Sequence, residues 1–233
     1  MKLRLLLLAA LCAAATASAA KTKPAPAPKI PLLPNLVPWG GFATDYFVNR
    51  EPDGRRFLRF SAGVTNIGQG PLELQGISKK ASSTLPEFQV FYFPKSGTTK
   101  TLVGQCVYDA DNLLWDVFHI AEYRLRDLNG NQVGAAQKAS FCVADDYRVS
   151  PGLPGSPTMP RYRTCPHGSR LKKIKVGLSV GWSDVYAWPR AGQFVDVTNI
   201  PSGSYLLEME ANPEGTAQET TRDDNTLQVP VQF

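Results

Sequence analysis

Histidine is scarce in this sequence, since His119 and His167 are the only two among 233 residues. A histidine-rich metal centre needs several imidazoles, and a Ser-His-Asp triad needs a histidine as its base. The composition therefore argues against both. Asp116 lies close to His119, but residues three apart on a strand point to opposite faces, so shared metal ligation is not expected. We interpret His119 as a structural histidine.

Long apolar runs are also missing after the first twenty residues, so no membrane span is predicted. The start of the chain combines the basic residues Lys2 and Arg4 with an apolar run and the small-residue pattern Ala17-Ser18-Ala19. These are the parts of a secretory signal peptide, which we assign to residues 1–19. We therefore expect the protein to be secreted or periplasmic after cleavage.

A strong charge of either sign is absent as well. The net charge of +5 falls to +3 when the two basic residues of the signal are removed, because that segment contains no acid. This is too weakly basic for a typical nucleic-acid binder, and none is predicted as a partner. Residues 20–34 are rich in Pro, Ala and Lys and predict an extended tether. Residues 35–233 are enough for one domain with a sizeable core.

Cysteines are few. Cys12 falls within the signal, and its neighbour Leu11 argues against a lipid anchor, which would need a small residue there. Cys106, Cys142 and Cys165 remain in the exported chain. Oxidising surroundings favour one disulfide, and we prefer Cys142–Cys165 because it closes a Pro/Gly-rich excursion. The alternative is that all three are reduced and buried.

Short strand-like segments dominate, and no window predicts a long amphipathic helix. Alternating apolar residues and turns rich in Gly, Pro and Asn favour an all-β fold, an antiparallel β-sandwich with long ordered loops. The clearest local signal is Asn129-Gly130, which predicts a hairpin turn after the segment HIAEYRLRDL.

Two charged segments are candidate binding sites. The first, SRLKKIKVG, contains Arg170, Lys172, Lys173 and Lys175, and either contacts an anionic glycan or lipid or is an edge strand protected by lysines. The second, near the C-terminus, contains Glu219, Asp223 and Asp224. It either binds Ca²⁺ or, as we prefer, forms a hydrated hairpin loop.

Several motifs together resemble one known family. They are LPNLVP, RFLRFSAGVTNIGQGPLEL, YDADNLLWDVFHIAEYRLRDLNGNQV, QKASFC, GLSVGWSDVYAW, QFVDVTNIPSGSYLLEMEANP and ETTRDDNT. In this order and spacing they resemble the lysyl oxidase family, in particular its bacterial secreted members. The resemblance implies a β-rich secreted domain that oxidises primary amines with copper and a lysine tyrosylquinone. It assigns the quinone pair to Lys138 of QKASFC and Tyr186 of GLSVGWSDVY.

The copper positions depart from the family pattern, in which three histidines alternate along one strand. Placed without a gap, the resemblance puts these positions at Asn112, Leu114 and Asp116. None is a histidine, and neither copper nor the quinone that depends on it is expected.

The sequence thus predicts a lysyl-oxidase-like domain that has lost copper chemistry and acts as a binding or structural module. Its partner would be an extracellular or envelope protein or glycan. One alternative is an active amine oxidase with a Lys138–Tyr186 quinone and an unusual metal site, completed by Asp116, His119 or His167. Another is an envelope adhesion module that shares only the sandwich fold.

Overall fold

The structure, a computed structural model, describes residues 30–136 and 142–233. These residues form sixteen β-strands and no helix. The strands are β1 (Leu36–Pro38), β2 (Phe47–Arg50), β3 (Arg56–Arg59), β4 (Ala62–Asn66), β5 (Leu72–Ser82), β6 (Thr84–Phe93), β7 (Gly97–Asp109), β8 (Leu114–Asp116), β9 (Ala121–Arg126), β10 (Gln132–Ala135), β11 (Tyr147–Arg148), β12 (Leu171–Leu178), β13 (Trp182–Tyr186), β14 (Phe194–Asp196), β15 (Ser204–Ala211) and β16 (Thr226–Gln232).

The strands pair into four antiparallel sheets around a shared core. Their orders are β12-β5-β6-β7-β8, β1-β4-β13-β11, β10-β9-β15-β16 and β14-β3-β2. The all-β antiparallel prediction is confirmed. Across the described ranges, no helix has the length and apolar character needed to cross a bilayer.

Strand β9 shows why these sequences form sheets with one face buried. Its residues alternate between buried and partly exposed positions, with Tyr123 and Leu125 inside. On the outer face, Arg124 donates hydrogen bonds to Glu208 and Glu210 of β15, at 3.1 and 2.8 Å. The strand therefore contributes apolar side chains to the core and a network of ion pairs to the surface.

The hairpin predicted at Asn129-Gly130 is confirmed, because β9 and β10 pair antiparallel on either side of it. Gly130 has a φ of 88°, a conformation that glycine adopts without strain. The Asp127 side chain accepts the backbone N–H groups of Asn129 and Asn131, at 2.9 and 2.8 Å, and so stabilises the turn.

The end of the predicted tether is packed against the domain. The N–H of Leu32 donates to the carbonyl of Tyr92 at 2.8 Å, and the N–H of Thr220 donates to the carbonyl of Pro34 at 2.9 Å. Pro34 is itself buried. Ordered contacts with the domain therefore begin a few residues before position 35.

A disulfide joins Cys142 to Cys165, the pair favoured by the sequence, and closes a loop with a sequence separation of 23. Cys106 is free and buried. Burial raises the pKa of its thiol to about 12, so it stays protonated and unreactive at neutral pH.

One buried carboxyl group is poorly satisfied. Glu87 of β6 has no exposed surface, and its Oε2 accepts the N–H of Phe118 at 3.2 Å. Its Oε1 has no hydrogen-bond partner in the part of the chain that the structure describes. Burial raises the pKa of Glu87 to about 7.

Stability should therefore fall as pH rises from the ordinary glutamate range to the pKa of Glu87 at about 7. In that window the unfolded chain releases this proton and the folded chain keeps it, which costs about 3 kcal/mol in all. Urea unfolding at several pH values should show this decline in the native sequence and a flatter profile in Glu87→Gln. Equal slopes for the two proteins would contradict the assignment.

Candidate functional site

A cavity of about 150 Å³ gathers residues from three separate parts of the chain. Its lining consists of Asn112, Leu114, Asp116, Cys142, Tyr186, Arg190 and Ala191. All three positions assigned to copper by the family resemblance therefore face one space, together with the proposed quinone tyrosine. Lys138, the other member of the proposed quinone pair, lies outside the described residues.

The turn before β8 and the alternation along β8 explain this convergence. Leu114 and Asp116 are partly exposed and point to the cavity, while Trp115 between them is fully buried in the core. Asn112 precedes the strand, and its N–H donates to the Asp109 carboxylate at 3.3 Å. Strand alternation brings Leu114 and Asp116 to one face, and the turn, in which Leu113 has a φ of 58°, brings Asn112 to the same cavity.

Tyr186 closes the opposite wall of the cavity. It ends β13, which pairs with β4 and places Tyr186 across from Ala62. Its hydroxyl donates to the carbonyl of Cys142, so the disulfide loop and β13 meet at this point. Burial, reinforced by the nearby Asp184 carboxyl group, raises the pKa of Tyr186 well above the usual tyrosine value.

Asp184 lies on the same face of β13 and has 5% of its surface exposed. Burial raises its pKa well above the usual range, and the neighbouring Asp146 carboxyl group adds to the shift.

Arg190 brings a positive charge to the cavity. Its guanidinium carbon lies 5.2 Å from the centroid of the Tyr186 ring, within the range of a cation–π interaction. The Arg190 side chain is exposed, so solvent screens its charge and its repulsion of a metal cation in the cavity is modest.

The residues present do not fit a copper centre. The cavity offers one carboxylate and one side-chain amide, whereas Cu(II) prefers imidazole nitrogens in a tetragonal arrangement. His119 is not in the lining, and its Nδ1 lies 3.2 Å from Glu214. His167 is exposed in the loop before β12. Within residues 30–136 and 142–233, no group of three or more His, Cys, Asp or Glu side chains could hold a metal.

The acidic C-terminal segment is used for folding. Glu219 Oε2 accepts the N–H of Leu36 at 2.6 Å, and its Oε1 accepts the side-chain amide of Asn225 at 2.9 Å. Asp224 accepts the Asn35 amide at 2.9 Å. Donors from the protein already occupy oxygens that Ca²⁺ would need, which supports the hairpin-loop interpretation over a calcium site.

Sequence reasoning missed three members of the cavity, which are Cys142, Arg190 and Ala191. Arg190 follows Tyr186 by four residues, and no periodicity marks it as a neighbour of the ring. The backbone carbonyl of Cys142 carries no sequence signal at all, although the disulfide prediction placed the residue at the base of an ordered loop.

Comparisons of the sequence with known proteins point to one family. Residues 108–233, more than half of the chain, match the family described as lysyl oxidase. The chain belongs to the lysyl oxidase family. It is 29% identical over 179 residues to lysyl oxidase homolog 4 of Homo sapiens. The aligned region covers 77% of this chain and 19% of that protein. The chain is 27% identical over 173 residues to lysyl oxidase homolog 2 of Gallus gallus, covering 74% of this chain and 18% of that protein.

This lysyl oxidase domain therefore spans about a fifth of the length of the curated relatives it matches. The family match includes β8 and β13, the strands that form two walls of the cavity. The family assignment implies copper and a quinone cofactor in the active members of the family.

Replacing Tyr186 with phenylalanine should destabilise the fold without abolishing it. The change leaves the Cys142 carbonyl without its hydroxyl donor, and an unsatisfied buried acceptor costs about 1–3 kcal/mol. Urea unfolding measures the loss. Tyr147→Phe is the matched control because the Tyr147 side chain is exposed, and equal stability of the two variants would show that the Tyr186 hydrogen bond contributes nothing.

Proposed function

We propose that this protein is an exported lysyl-oxidase-like domain that lacks copper-dependent amine oxidase activity. It acts as a binding or structural module at the cell envelope or outside the cell, with no resident copper or quinone. The signal-like start of the sequence supports export, and its partner would be an extracellular or envelope protein or glycan.

One observation carries this proposal. The three family copper positions do converge on one cavity, yet they are occupied by an amide, an isobutyl group and a single carboxylate. Leu114 has no donor atom, and Arg190 adds a positive charge to the same space. These side chains do not supply the imidazole donors that a copper site needs.

The lack of copper ligands also affects the cofactor. Copper drives formation of the quinone in the family, so without it Lys138 and Tyr186 stay an ordinary lysine and phenol. For Tyr186 this agrees with its surroundings, since a buried phenol of raised pKa that donates to a carbonyl is a stable structural group.

An active amine oxidase is the second candidate, and one observation favours it. Tyr186 lines the same cavity as the three family positions, as the cofactor of an oxidase would have to do. In that reading, Lys138 and Tyr186 would together hold the quinone, which would supply an electrophilic carbonyl and an electron sink for amine oxidation.

Peptide mapping of the exported protein separates the two candidates. The mature chain is incubated in air with and without Cu(II), digested and analysed by mass spectrometry. We expect unmodified Lys138 and Tyr186 peptides in both samples. A cross-linked peptide joining the two residues would establish the quinone and overturn the proposal.

Restoring histidines should restore metal binding if the cavity has kept the family geometry. Asn112→His, Leu114→His and Asp116→His together should give stoichiometric Cu(II) binding by calorimetry and electron paramagnetic resonance, since they supply three converging imidazoles. Adding Arg190→Gln should tighten binding by about fivefold or more, the effect of removing about 1 kcal/mol of repulsion.

Two comparisons control this experiment. Arg163→Gln in the three-histidine background removes an exposed arginine from outside the cavity lining and should leave Cu(II) affinity unchanged. A three-histidine variant that binds no more Cu(II) than the native sequence would show that the three positions cannot converge on one ion.

A further inference from the structure

The pairing of β5 with β12 contains an irregularity that gathers cations at one end of the sheet. Lys173 is paired with Ile77, and Leu171 is paired with Ser82. Between these two pairs the chain advances by two residues in β12 and by five residues in β5, and the extra residues of β5 form a bulge. Lys79 and Lys80 lie in this bulge, opposite Lys172.

We call the resulting surface the basic edge. It consists of Lys79, Lys80, Arg170, Lys172 and Lys173, all of which are exposed. The Arg170 guanidinium donates to the carbonyl of Ala81 at 3.1 Å, which fixes the entrance of β12 against the bulge. Lys175 continues the row along β12, with its amine 5.8 Å from the Tyr162 ring centroid.

No acid neutralises the basic edge within the described residues. The ion pairs of the described residues involve five arginines outside the basic edge and His119, and no ion pair includes a residue of the basic edge. The carboxyl of Glu73, on the neighbouring stretch of β5, is buried and accepts hydrogen bonds from Gln75, Tyr92 and Tyr162. The edge thus presents uncompensated positive charge to solvent.

Protection of an edge strand does not account for this arrangement. Lysines on β12 would discourage another strand from pairing with it, since β12 is the outer strand of its sheet. Lys79 and Lys80 belong to β5, an inner strand of the sheet, and lie in the bulge, outside the residues that β5 pairs with β12 and β6. Protection of the edge strand β12 therefore does not explain them. Five like charges brought together by a bulge repel one another, and a counter-charge on a ligand would relieve that repulsion.

We propose that the basic edge binds an anionic polysaccharide. Lys173 and Lys175 lie two residues apart on the exposed face of β12, about 7 Å from each other along the strand. Lys79, Lys80, Arg170 and Lys172 extend the positive charge across the bulge, and this spread suits a polymer with repeated acidic groups. The large exposed apolar side chains of the described chain all lie outside residues 77–82 and 170–175. A membrane surface is the weaker fit, because stable membrane binding requires apolar insertion or a lipid anchor in addition to charge.

This inference goes beyond the proposed function and does not depend on copper. The basic edge and the cavity have no residue in common. Loss of polysaccharide binding and the appearance of a quinone would be separate results.

The test compares two triple variants of the mature protein. Lys79→Gln, Lys80→Gln and Lys172→Gln remove three of the five charges of the basic edge. The control, Arg50→Gln, Arg55→Gln and Lys95→Gln, removes the same charge from exposed residues outside it. Circular dichroism and thermal unfolding confirm that both variants fold. Binding to heparin and to polygalacturonate is measured by calorimetry at several salt concentrations.

We expect the edge variant to bind at least one of the two polymers about tenfold more weakly at low salt, with a shallower salt dependence. Fewer cation–anion contacts then release fewer counterions. The control should bind as the native sequence does. Equal loss in both variants would reduce the effect to net charge and overturn the proposal. The proposal would also be overturned if the native protein bound neither polymer. A third contrary result would be binding to vesicles of anionic lipid that is tighter than binding to either polymer and is lost in the edge variant.

Discussion

The buried side chain of Asp145 holds together the parts of the structure on which the cavity depends. One oxygen accepts the N–H of Ser179 at 2.7 Å, and the other accepts the Ser179 hydroxyl and the N–H of Arg161, at 2.7 and 2.8 Å. Asp145 is 5% exposed, so these bonds satisfy a polar group that burial would otherwise penalise. They fasten both ends of the disulfide loop to the segment between β12 and β13. The Cys142 carbonyl, which accepts the Tyr186 hydroxyl, therefore lies in a loop whose two ends are both held by Asp145.

The contacts that shape the cavity do not require an ion. The residues that line it are held by the burial of the neighbouring Trp115 in the core, by the pairing of β13 with β4 and by the disulfide loop. In small metalloproteins the metal provides folding energy, and removing its ligands unfolds the chain. Here the described strands share a hydrophobic core of their own, so the fold does not require a metal at positions 112, 114 and 116.

The parts predictable from sequence were those governed by local rules. The family resemblance aligned Asn112, Leu114 and Asp116 with positions that share one face of a strand, and the structure puts them in one cavity. The Asn129-Gly130 turn was predictable because these two residue types readily adopt the backbone conformation of a tight hairpin turn. The role of Glu219 was not predictable, because its partner Leu36 is 183 residues away along the chain. The bulge in β5 was hidden as well, since register is decided by how two distant strands pack and not by the composition of either one.

The position of Arg190 over Tyr186 has a consequence for electron transfer. A phenol loses an electron most readily as phenolate in an electron-rich environment. The cation above the ring makes removal of an electron more costly, and the raised pKa keeps the hydroxyl proton in place. The same two features make oxidation of the Tyr186 ring less favourable than that of a tyrosine without a neighbouring cation.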